Sequence, residues 1–294
     1  MKRQPKIQGY GFYCVDKPSG TVSSAVVNKL KWLTGLPAGH MGTLDPLASG
    51  VLPVGVGNAT RLFDYFLEKE KRYVAEFTFG VSSDTLDSTG ELVYGGRVPG
   101  EREIESVLPA LVGDVWQTPP KYSAKNVNGK RGYELARAGV EFELAPKKVK
   151  ISSVALLGKS ETTENAYRME IVCGGGTYIR SIGRDLAEKL GTNAVMSGLR
   201  RTKSGFFTIE NALPFDVFLS DPSPEEMQRY LISTERTLPL ATLSLSGKWE
   251  RIFNGVAVET DAADGLYKLY RADGEFYGIA EVEKGFAKAK TKLC

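Results

Sequence analysis

The stretch Gly39–Pro53 reads GHMGTLDPLASGVLP, and the rest of the chain is interpreted around it. It contains the only histidine of the protein, His40, and an aspartate, Asp45, that stands between a leucine and a proline. The proline biases Asp45 toward an extended or turn backbone, and the glycines at 39, 42 and 50 permit conformations or close approaches that a side chain would block. The pattern predicts a shaped loop that presents a carboxylate. A glycine-rich turn with a capping aspartate is the ordinary alternative.

The overall composition is that of an ordinary folded protein. Of the 294 residues, 42% are hydrophobic and 25% are charged, and the net charge is +3. No apolar run reaches the roughly 18 residues of a membrane span, and no apolar segment of a secretory signal follows the basic N-terminus. The three cysteines, at positions 14, 173 and 294, are far apart in the sequence and fit no metal spacing. We therefore expect free thiols and a cytoplasmic protein.

The scarcity of histidine restricts the possible chemistry. One histidine and no paired cysteines argue against a histidine-rich metal site or a structural zinc. A Ser-His-Asp triad would have to use His40, and the chain has no Gly-x-Ser-x-Gly elbow. Catalysis is therefore expected to rest on carboxylates, arginine, lysine or tyrosine, without a metal.

Hydrophobic periodicity predicts an alternation of strands and helices. Residues 72–80 alternate as a strand does, and residues 22–33 and 177–190 have helical spacing. Arg180 falls in the first turn of the second helix, where the helix dipole opposes a positive charge. Such an arginine usually meets an anion, and a surface salt bridge is the ordinary alternative. Residues 233–243 are expected to be a linker, and the short strands and turns after it predict a small all-β module.

The segment 117–150 is locally basic. It contains eight Lys or Arg residues against three Glu, with Tyr122 and Tyr133 interleaved. A charge run alone commonly means a solvated face, but basic residues combined with aromatics favour a nucleic-acid surface. Lys130 and Arg131 are the candidates for contacts with an RNA backbone.

Five motifs, in this order and spacing, resemble the bacterial tRNA pseudouridine-55 synthases over roughly residues 8–235. They are DKPSG at 16–20, GHMGTLDPLASG at 39–50, KRY at 71–73, GTYIR at 176–180 and LRR at 199–201. Each motif alone is weak, whereas the set is highly specific. Met41 departs from the family pattern, because a small or polar residue is commoner at this position.

The resemblance implies an α+β protein with the pseudouridine-synthase fold, in which helices flank a mixed, mostly antiparallel central sheet. Residues 1–243 would form the catalytic domain, with a thumb-like RNA-binding insertion at 117–150. Residues 244–294 would form a small, all-β, PUA-like RNA-binding module. The implied reaction isomerises the T-loop uridine 55 of tRNA to pseudouridine without a cofactor. A stand-alone, monomeric enzyme without a membrane or an obligatory protein partner is expected.

The resemblance also assigns the catalytic roles. Because a base stacked inside an RNA loop cannot be attacked there, it must be turned out into a pocket. Asp45 is the expected nucleophile or base and Arg180 its ion-pair partner. Tyr73 is expected to stack on the extracted base and to act in proton transfer. Whether Asp45 adds to C1′, adds to C6 or removes the C2′ proton stays open.

Four further residues are expected to bind the nucleotide or support the site. His40 fills the vacancy in the RNA loop, Tyr178 and Leu199 line the pocket, and Lys17 has a structural role.

The sequence leaves three alternative functions open. A glycoside-cleaving enzyme would usually need a pair of carboxylates across one bond. A non-catalytic RNA-binding protein would keep the basic segment and would not need Asp45. A guide-RNA-dependent relative of the same family is the third alternative, and the thumb-like insertion favours a stand-alone enzyme over it.

Overall fold

The computed structural model of the protein describes residues 7–67, 69–123, 125–127, 129–245 and 249–293. The strands are β1 (Gly11–Lys17), β2 (Ala38–His40), β3 (Ser49–Val56), β4 (Lys71–Phe79), β5 (Val81–Ser83), β6 (Leu92–Tyr94), β7 (Gly113–Gln117), β8 (Asn126–Val127), β9 (Lys130–Arg131), β10 (Lys147–Lys159), β11 (Ala166–Cys173), β12 (Ala194–Ser204), β13 (Phe207–Thr208), β14 (Val258–Glu259), β15 (Gly265–Tyr270), β16 (Phe276–Glu283) and β17 (Phe286–Lys292). The helices are α1 (Ser23–Thr34), α2 (Asp64–Leu67), α3 (Glu101–Val107), α4 (Gly132–Arg137), α5 (Ile179–Lys189), α6 (Phe215–Leu219), α7 (Pro224–Tyr230) and α8 (Thr234–Thr237).

A nine-stranded sheet forms the centre of the molecule. Its order is β1-β3-β12-β4-β11-β10-β7, with β2 paired to β3 and β13 paired to β12. Strands β3 and β12 run parallel, and the other pairings described in this sheet are antiparallel. The prediction of a mixed, mostly antiparallel sheet with flanking helices is confirmed.

Strand β4 lies in the middle of this sheet, between β11 and β12. The side chains of Tyr73, Ala75, Phe77 and Phe79 are buried while the intervening residues are partly exposed, so the predicted period of two is confirmed. Helix α5 packs on this face of the sheet, where Gly183 lies against the ring of Phe77. The helix is thereby placed directly over the strand that carries Tyr73.

Helix boundaries follow the sequence closely. Helix α1 spans Ser23–Thr34 and α5 spans Ile179–Lys189, within two residues of the predicted limits. The interpretation of residues 233–243 as a linker is wrong. Within them Thr234–Thr237 form α8, and Leu238 and Leu243 are buried in two apolar cores. The sequence concealed this packing because the segment is short and its apolar residues have no regular period.

The C-terminal residues form a separate antiparallel sheet in the order β14-β17-β16-β15. Its Ile279 and Leu293 share an apolar core with Phe12 of β1. Asn58 Nδ2 donates a hydrogen bond of 2.7 Å to the carbonyl of Leu293. The small sheet is therefore packed against the central one. Among the described residues, no helix has both the length and the apolar character needed to cross a membrane.

Candidate active site

The loop that carries Asp45 is held by the start of α1. Ser23 Oγ accepts a hydrogen bond of 3.0 Å from the Leu44 N–H and donates one of 2.8 Å to the Leu44 carbonyl. The Asp45 carbonyl accepts the N–H of Ala48 at 3.0 Å, which closes a turn after Pro46. The backbone on both sides of the aspartate is therefore fixed. Sequence reasoning assigned no role to Ser23.

Lys17 is fully buried at the end of β1 and ties two distant motifs together. Its ammonium group donates to the carbonyls of Pro18, Thr21 and Pro46 at 2.9, 2.7 and 3.4 Å. Burial lowers the pKa of Lys17 to about 8, and the charge of Asp45 partly opposes this shift. The ammonium form therefore predominates at pH 7. These backbone contacts support a structural role.

Two of the three glycines singled out in this stretch have the backbone freedom that the sequence predicts. Gly42 and Gly50 adopt φ values of +132° and +98°. A Cβ atom on Gly50 would collide with the backbone of Arg201 on β12. Gly39 has neither a positive φ nor a close neighbour, so the expectation is wrong there. It lies in β2, opposite Gly55 of β3.

Arg180 and Asp45 are in contact. The Nε of the buried Arg180 lies 3.0 Å from Oδ2 of Asp45, whose side chain is 37% exposed. The other guanidinium nitrogens donate to the carbonyls of Thr85 at 2.9 Å and Tyr122 at 3.0 Å. The arginine in the first turn of α5 therefore meets an anion, as its position against the helix dipole suggested. It also joins α5 to three separate loops.

Asp87 is a second buried carboxylate beside Arg180, and sequence reasoning missed it. Its Oδ2 lies 3.5 Å from Nη1 of Arg180. Its Oδ1 accepts the hydroxyl of Thr85 at 2.8 Å, and the N–H and hydroxyl of Thr89 at 3.0 and 2.5 Å. The stretch DTLDSTG at 84–90, an aspartate among turn-forming residues, was the available signal. Asp87 gives the guanidinium a second negative charge.

We expect Asp87→Asn to lower the free energy of unfolding by about 1–3 kcal/mol, because an amide nitrogen would leave donors unpaired in a buried site. Urea unfolding at pH 7 measures this loss. Asp114→Asn is the matched control, since Asp114 forms an exposed ion pair with Lys148. Such surface pairs contribute about 0–1 kcal/mol. Equal losses in the two variants would contradict the buried role of Asp87.

A cavity of about 820 Å³ opens beside the ion pair. Asp45, Tyr73, Tyr178, Arg180 and Leu199 all line it, so five of the predicted site residues come together. Burial raises the pKa of Tyr73, and the nearby positive charge of Arg201 partly opposes that shift. The phenol is therefore neutral at pH 7. The cavity combines aromatic and apolar walls with a carboxylate, as ligand sites commonly do.

Arg201 is a buried cation in the same cavity, and sequence reasoning gave it no role of its own. Its Nε donates to the carbonyl of Val51 at 2.7 Å and its Nη2 to that of Gly42 at 3.0 Å. It stands opposite Tyr73 in the pairing of β12 with β4. Its place in the LRR motif at 199–201 was the available signal. The side chain fixes the loop before Asp45 and faces the phenol of Tyr73.

The thumb-like segment supplies one wall of the cavity through Tyr122, Tyr133 and Arg137. The guanidinium of Arg137 lies 5.8 Å from the ring centre of Tyr133. Lys130 and Arg131 form the exposed strand β9 and do not line the cavity. Ala124, which belongs to the predicted insertion, lies outside the described residues. The segment therefore brings both aromatic and cationic side chains to the cavity, while Lys130 and Arg131 lie outside it.

His40 lies at the edge of the site, on β2, and does not itself line the cavity. Its buried Nδ1 has no hydrogen-bond partner among the described residues. Burial is the main cause that lowers the pKa of His40, so the imidazole is neutral at pH 7. The neighbouring Met41 is buried in the apolar core of Phe12 and Leu62 while it also touches the cavity. The unusual residue at 41 is thus accommodated by apolar packing.

The described residues supply this site with neither a cluster of metal ligands nor a reactive thiol. In the described part of the chain, no group of three or more His, Cys, Asp or Glu side chains could hold a metal ion. Cys14 and Cys173 are free and buried, and burial raises their pKa values to about 12 and about 11. They are therefore inert thiols at pH 7. Cys294 lies outside the described residues.

Solved structures share this fold along the whole chain. The structure described as "Structure of H/ACA RNP bound to a substrate RNA containing 2'-deoxyuridine" matches with a TM-score of 0.68 and 21% identity, over 100% of this chain and 95% of that one. The structure described as "Crystal Structure of a Cbf5-Nop10-Gar1 Complex" matches with a TM-score of 0.66 and 23% identity, over 99% and 89%. At such identities the likeness shows the fold, which is that of the pseudouridine synthases.

Sequence comparisons add the family. The family described as "TruB family pseudouridylate synthase (N terminal domain)" matches residues 31–179. A protein of Shouchella clausii called tRNA pseudouridine synthase B is 37% identical over 97% of this chain and 98% of its own length. A protein of Aquifex aeolicus with the same name is 36% identical over 96% and 99%. The fold and the cavity thus belong to a pseudouridine synthase. The chain is a member of the TruB family, as the resemblance predicted.

Proposed function

We propose that this enzyme converts uridine 55 in the T loop of tRNA to pseudouridine, with Asp45 as the catalytic carboxylate. The names of its relatives support tRNA as the substrate. The observation that carries the proposal is the contact between Asp45 and Arg180 at a cavity of about 820 Å³. That volume lies within the range of roughly 300–1,000 Å³ that small-molecule sites occupy.

The walls of the cavity suit an everted base. Turning a base out of an RNA loop costs a few kcal/mol, which stacking on aromatic side chains offsets. Tyr73 and Tyr178 offer such rings and Leu199 an apolar contact. His40, which lies on β2 outside the cavity lining, would enter the vacancy that the base leaves in the loop.

The reaction needs no external reagent. The bond between C1′ and N1 breaks, a bond between C1′ and C5 forms, and the proton of C5 is lost while N1 gains one. Asp45 would add to C1′, add to C6 or remove the C2′ proton, and each route needs its ionised form. The Nε of Arg180, 3.0 Å from Oδ2 of Asp45, holds that oxygen in place. Tyr73 is our candidate for the proton transfer at C5.

The arrangement of the carboxylates argues against a glycoside-cleaving enzyme. Such enzymes usually place two available carboxyl groups across one bond. Asp87 is the second carboxylate of the cavity, but its Oδ1 already accepts three hydrogen bonds from Thr85 and Thr89. It therefore acts on Arg180 and is not free to protonate a leaving group.

The remaining parts of the chain fit the binding of a large RNA. We propose a catalytic domain at 1–243, a thumb at 117–150 and a PUA-like module at 244–294. The enzyme would act in the cytoplasm as a monomer, without an obligatory protein partner or a cofactor. The small C-terminal sheet and the exposed cations of β9 support the assignment of two RNA-binding regions.

We expect replacement of Lys130 and Arg131 by alanine to weaken tRNA binding and flatten its salt dependence. Each lost phosphate contact lowers the slope of log K against log salt by about 0.7–0.9, so the pair should lower it by about 1.4–1.8. Filter binding between 50 and 300 mM KCl gives the slope. The double variant of Arg102 and Lys159, which are exposed and do not line the cavity, is the matched control. An unchanged slope in the first variant would remove both residues from the interface.

Turnover of the wild-type protein on an unmodified tRNA transcript, in the presence of a chelator, tests the proposal. Release of tritium from C5-labelled uridine measures the rate, and a transcript with cytidine at position 55 is the control. We expect multiple turnovers with one pseudouridine formed per tRNA, at position 55. Binding without turnover would indicate an RNA-binding protein. Turnover only with a guide RNA or added proteins would indicate the guide-dependent relative.

A further inference from the structure

Gln117 ends strand β7, where the chain enters the thumb-like segment, and it is only 2% exposed. The oxygen and the nitrogen of its side-chain amide both form hydrogen bonds with the backbone of one residue, Tyr178. Nε2 donates to the carbonyl of Tyr178 at 3.1 Å, and Oε1 accepts the N–H of Tyr178 at 2.8 Å. A carboxamide has the donor and the acceptor for this two-point contact, which resembles the pairing of a neighbouring strand. Sequence reasoning assigned no role to Gln117.

The residue that Gln117 holds is the one from which the catalytic helix starts. Tyr178 is the N-cap residue that precedes α5, and its own side chain forms no capping hydrogen bond. Its carbonyl also accepts the N–H of Ile182 at 3.2 Å, the first hydrogen bond of the helix. Arg180 follows two residues later. The orientation of the Tyr178 backbone therefore determines the position from which the Arg180 side chain extends toward Asp45.

Arg180 tolerates little displacement. Its three nitrogens are committed to Asp45, to the carbonyl of Thr85 and to the carbonyl of Tyr122. The guanidinium is a rigid planar fork, so it cannot turn toward one partner without losing another. Misplacement of a reacting group by about 1 Å can cost about 100-fold in rate.

We propose that Gln117 is a positioning residue for the isomerisation. It binds both the N–H and the carbonyl of Tyr178 and thereby directs Arg180 onto Asp45. This inference rests on the proposed function. Gln117 does not line the cavity, so it acts through α5 and not on the substrate. Gln117 lies at the base of the thumb-like segment. The residue that supports the Asp45–Arg180 pair is therefore located where that segment joins the central sheet.

The variants Gln117→Glu and Gln117→Met of the full chain test the proposal. Glutamate keeps the shape of the side chain but sets a carboxylate oxygen against the Tyr178 carbonyl, and methionine removes both hydrogen bonds at similar length. We expect kcat on the tRNA transcript to fall by about 10- to 100-fold, with KM within about threefold of the wild type. Unchanged kcat, or a rise in KM alone, would overturn the proposal.

Ser181→Ala is the matched control. Ser181 is buried on α5, and its Oγ donates to the carbonyl of Thr118 at 2.9 Å. The variant therefore removes a hydrogen bond between the same two segments without touching the Tyr178 peptide. We expect kcat within about threefold of the wild type, since only one ordinary hydrogen bond is lost. A loss equal to that of the Gln117 variants would assign Gln117 to general stability and overturn the proposal.

A double-mutant cycle separates action through Arg180 from an independent effect. In an Arg180→Lys background, Gln117→Glu should lower single-turnover rates by no more than about twofold, because coupled residues are not additive. Full additivity would overturn the proposal, as would loss of cooperative thermal unfolding in both Gln117 variants. Absence of wild-type turnover would contradict the proposed function. Wild-type turnover with unaffected Gln117 variants would contradict only this inference.

Discussion

Replacement of Asp45 by alanine or asparagine is expected to lower pseudouridine formation by at least about 10³-fold, the scale for loss of a nucleophile or base that no other group replaces. Asp45 is a partly exposed carboxylate beside the cavity, whereas Asp87 is buried and fully bonded. Among the described residues that line the cavity, no other carboxylate is therefore placed to substitute for Asp45. Single-turnover tritium release with excess enzyme measures the residual rate.

Asp185→Asn is the control for this experiment. Asp185 also pairs with an arginine, at 2.6 Å from Arg184, but it does not line the active-site cavity. Its loss should change turnover by less than about threefold, because the Arg184–Asp185 pair lies outside the active-site cavity. Binding of tRNA should survive in both variants, since neither position supplies a cation to the RNA. Continued formation of pseudouridine by Asp45→Ala would refute the assignment of the catalytic carboxylate.

The second large effect is expected for Arg180→Lys, which should lose about 10²- to 10³-fold in kcat. The guanidinium bridges Asp45, Thr85 and Tyr122 through different nitrogens. Lysine ends in a single ammonium nitrogen, whereas arginine has three guanidinium nitrogens. Lysine therefore cannot reach these three acceptors together. The substitution keeps the positive charge, but one ammonium group cannot hold the Asp45 carboxylate and contact the buried Asp87 through separate nitrogens. Single-turnover kinetics give the loss in rate.

Arg184→Lys, one helical turn further along α5, is the natural comparison for Arg180→Lys. Arg184 donates to the Thr118 carbonyl at 3.2 Å and pairs with Asp185, outside the active-site cavity. It should retain kcat within about threefold, because the contacts of Arg184 lie outside the active-site cavity. Equal effects of the two substitutions, or near-normal turnover of Arg180→Lys, would remove the ion pair from the mechanism.

Most regular elements could be predicted because their signals are local. The alternation along β4 and the helical spacing of α1 and α5 follow from which side chains face the core. The sequence also placed Arg180 in a first turn, where its charge implied an anion. Identification of that anion as Asp45 came from the resemblance, because spacing alone cannot join residues 45 and 180.

The missed residues share one property, which is that each has a partner that is distant in the chain. Asp87 and Arg201 look like ordinary charged residues until burial brings each against a loop of the cavity. Gln117 looks like the polar end of a strand, yet it is bonded to a peptide sixty-one residues away. Hydrogen-bond partners across such separations leave no periodic trace in a sequence.

By itself, the sequence determined the strand and helix pattern, the glycine-rich loop that presents Asp45 and the absence of histidine-rich metal chemistry. These depend on side-chain periodicity, backbone freedom and residue types, which are local properties. The tertiary structure decided that Arg180 reaches Asp45, that Asp87 and Gln117 support it, and that the supposed linker packs into the cores. Such contacts form only when the sheet brings remote loops together, because burial and the satisfaction of polar groups are properties of the whole fold.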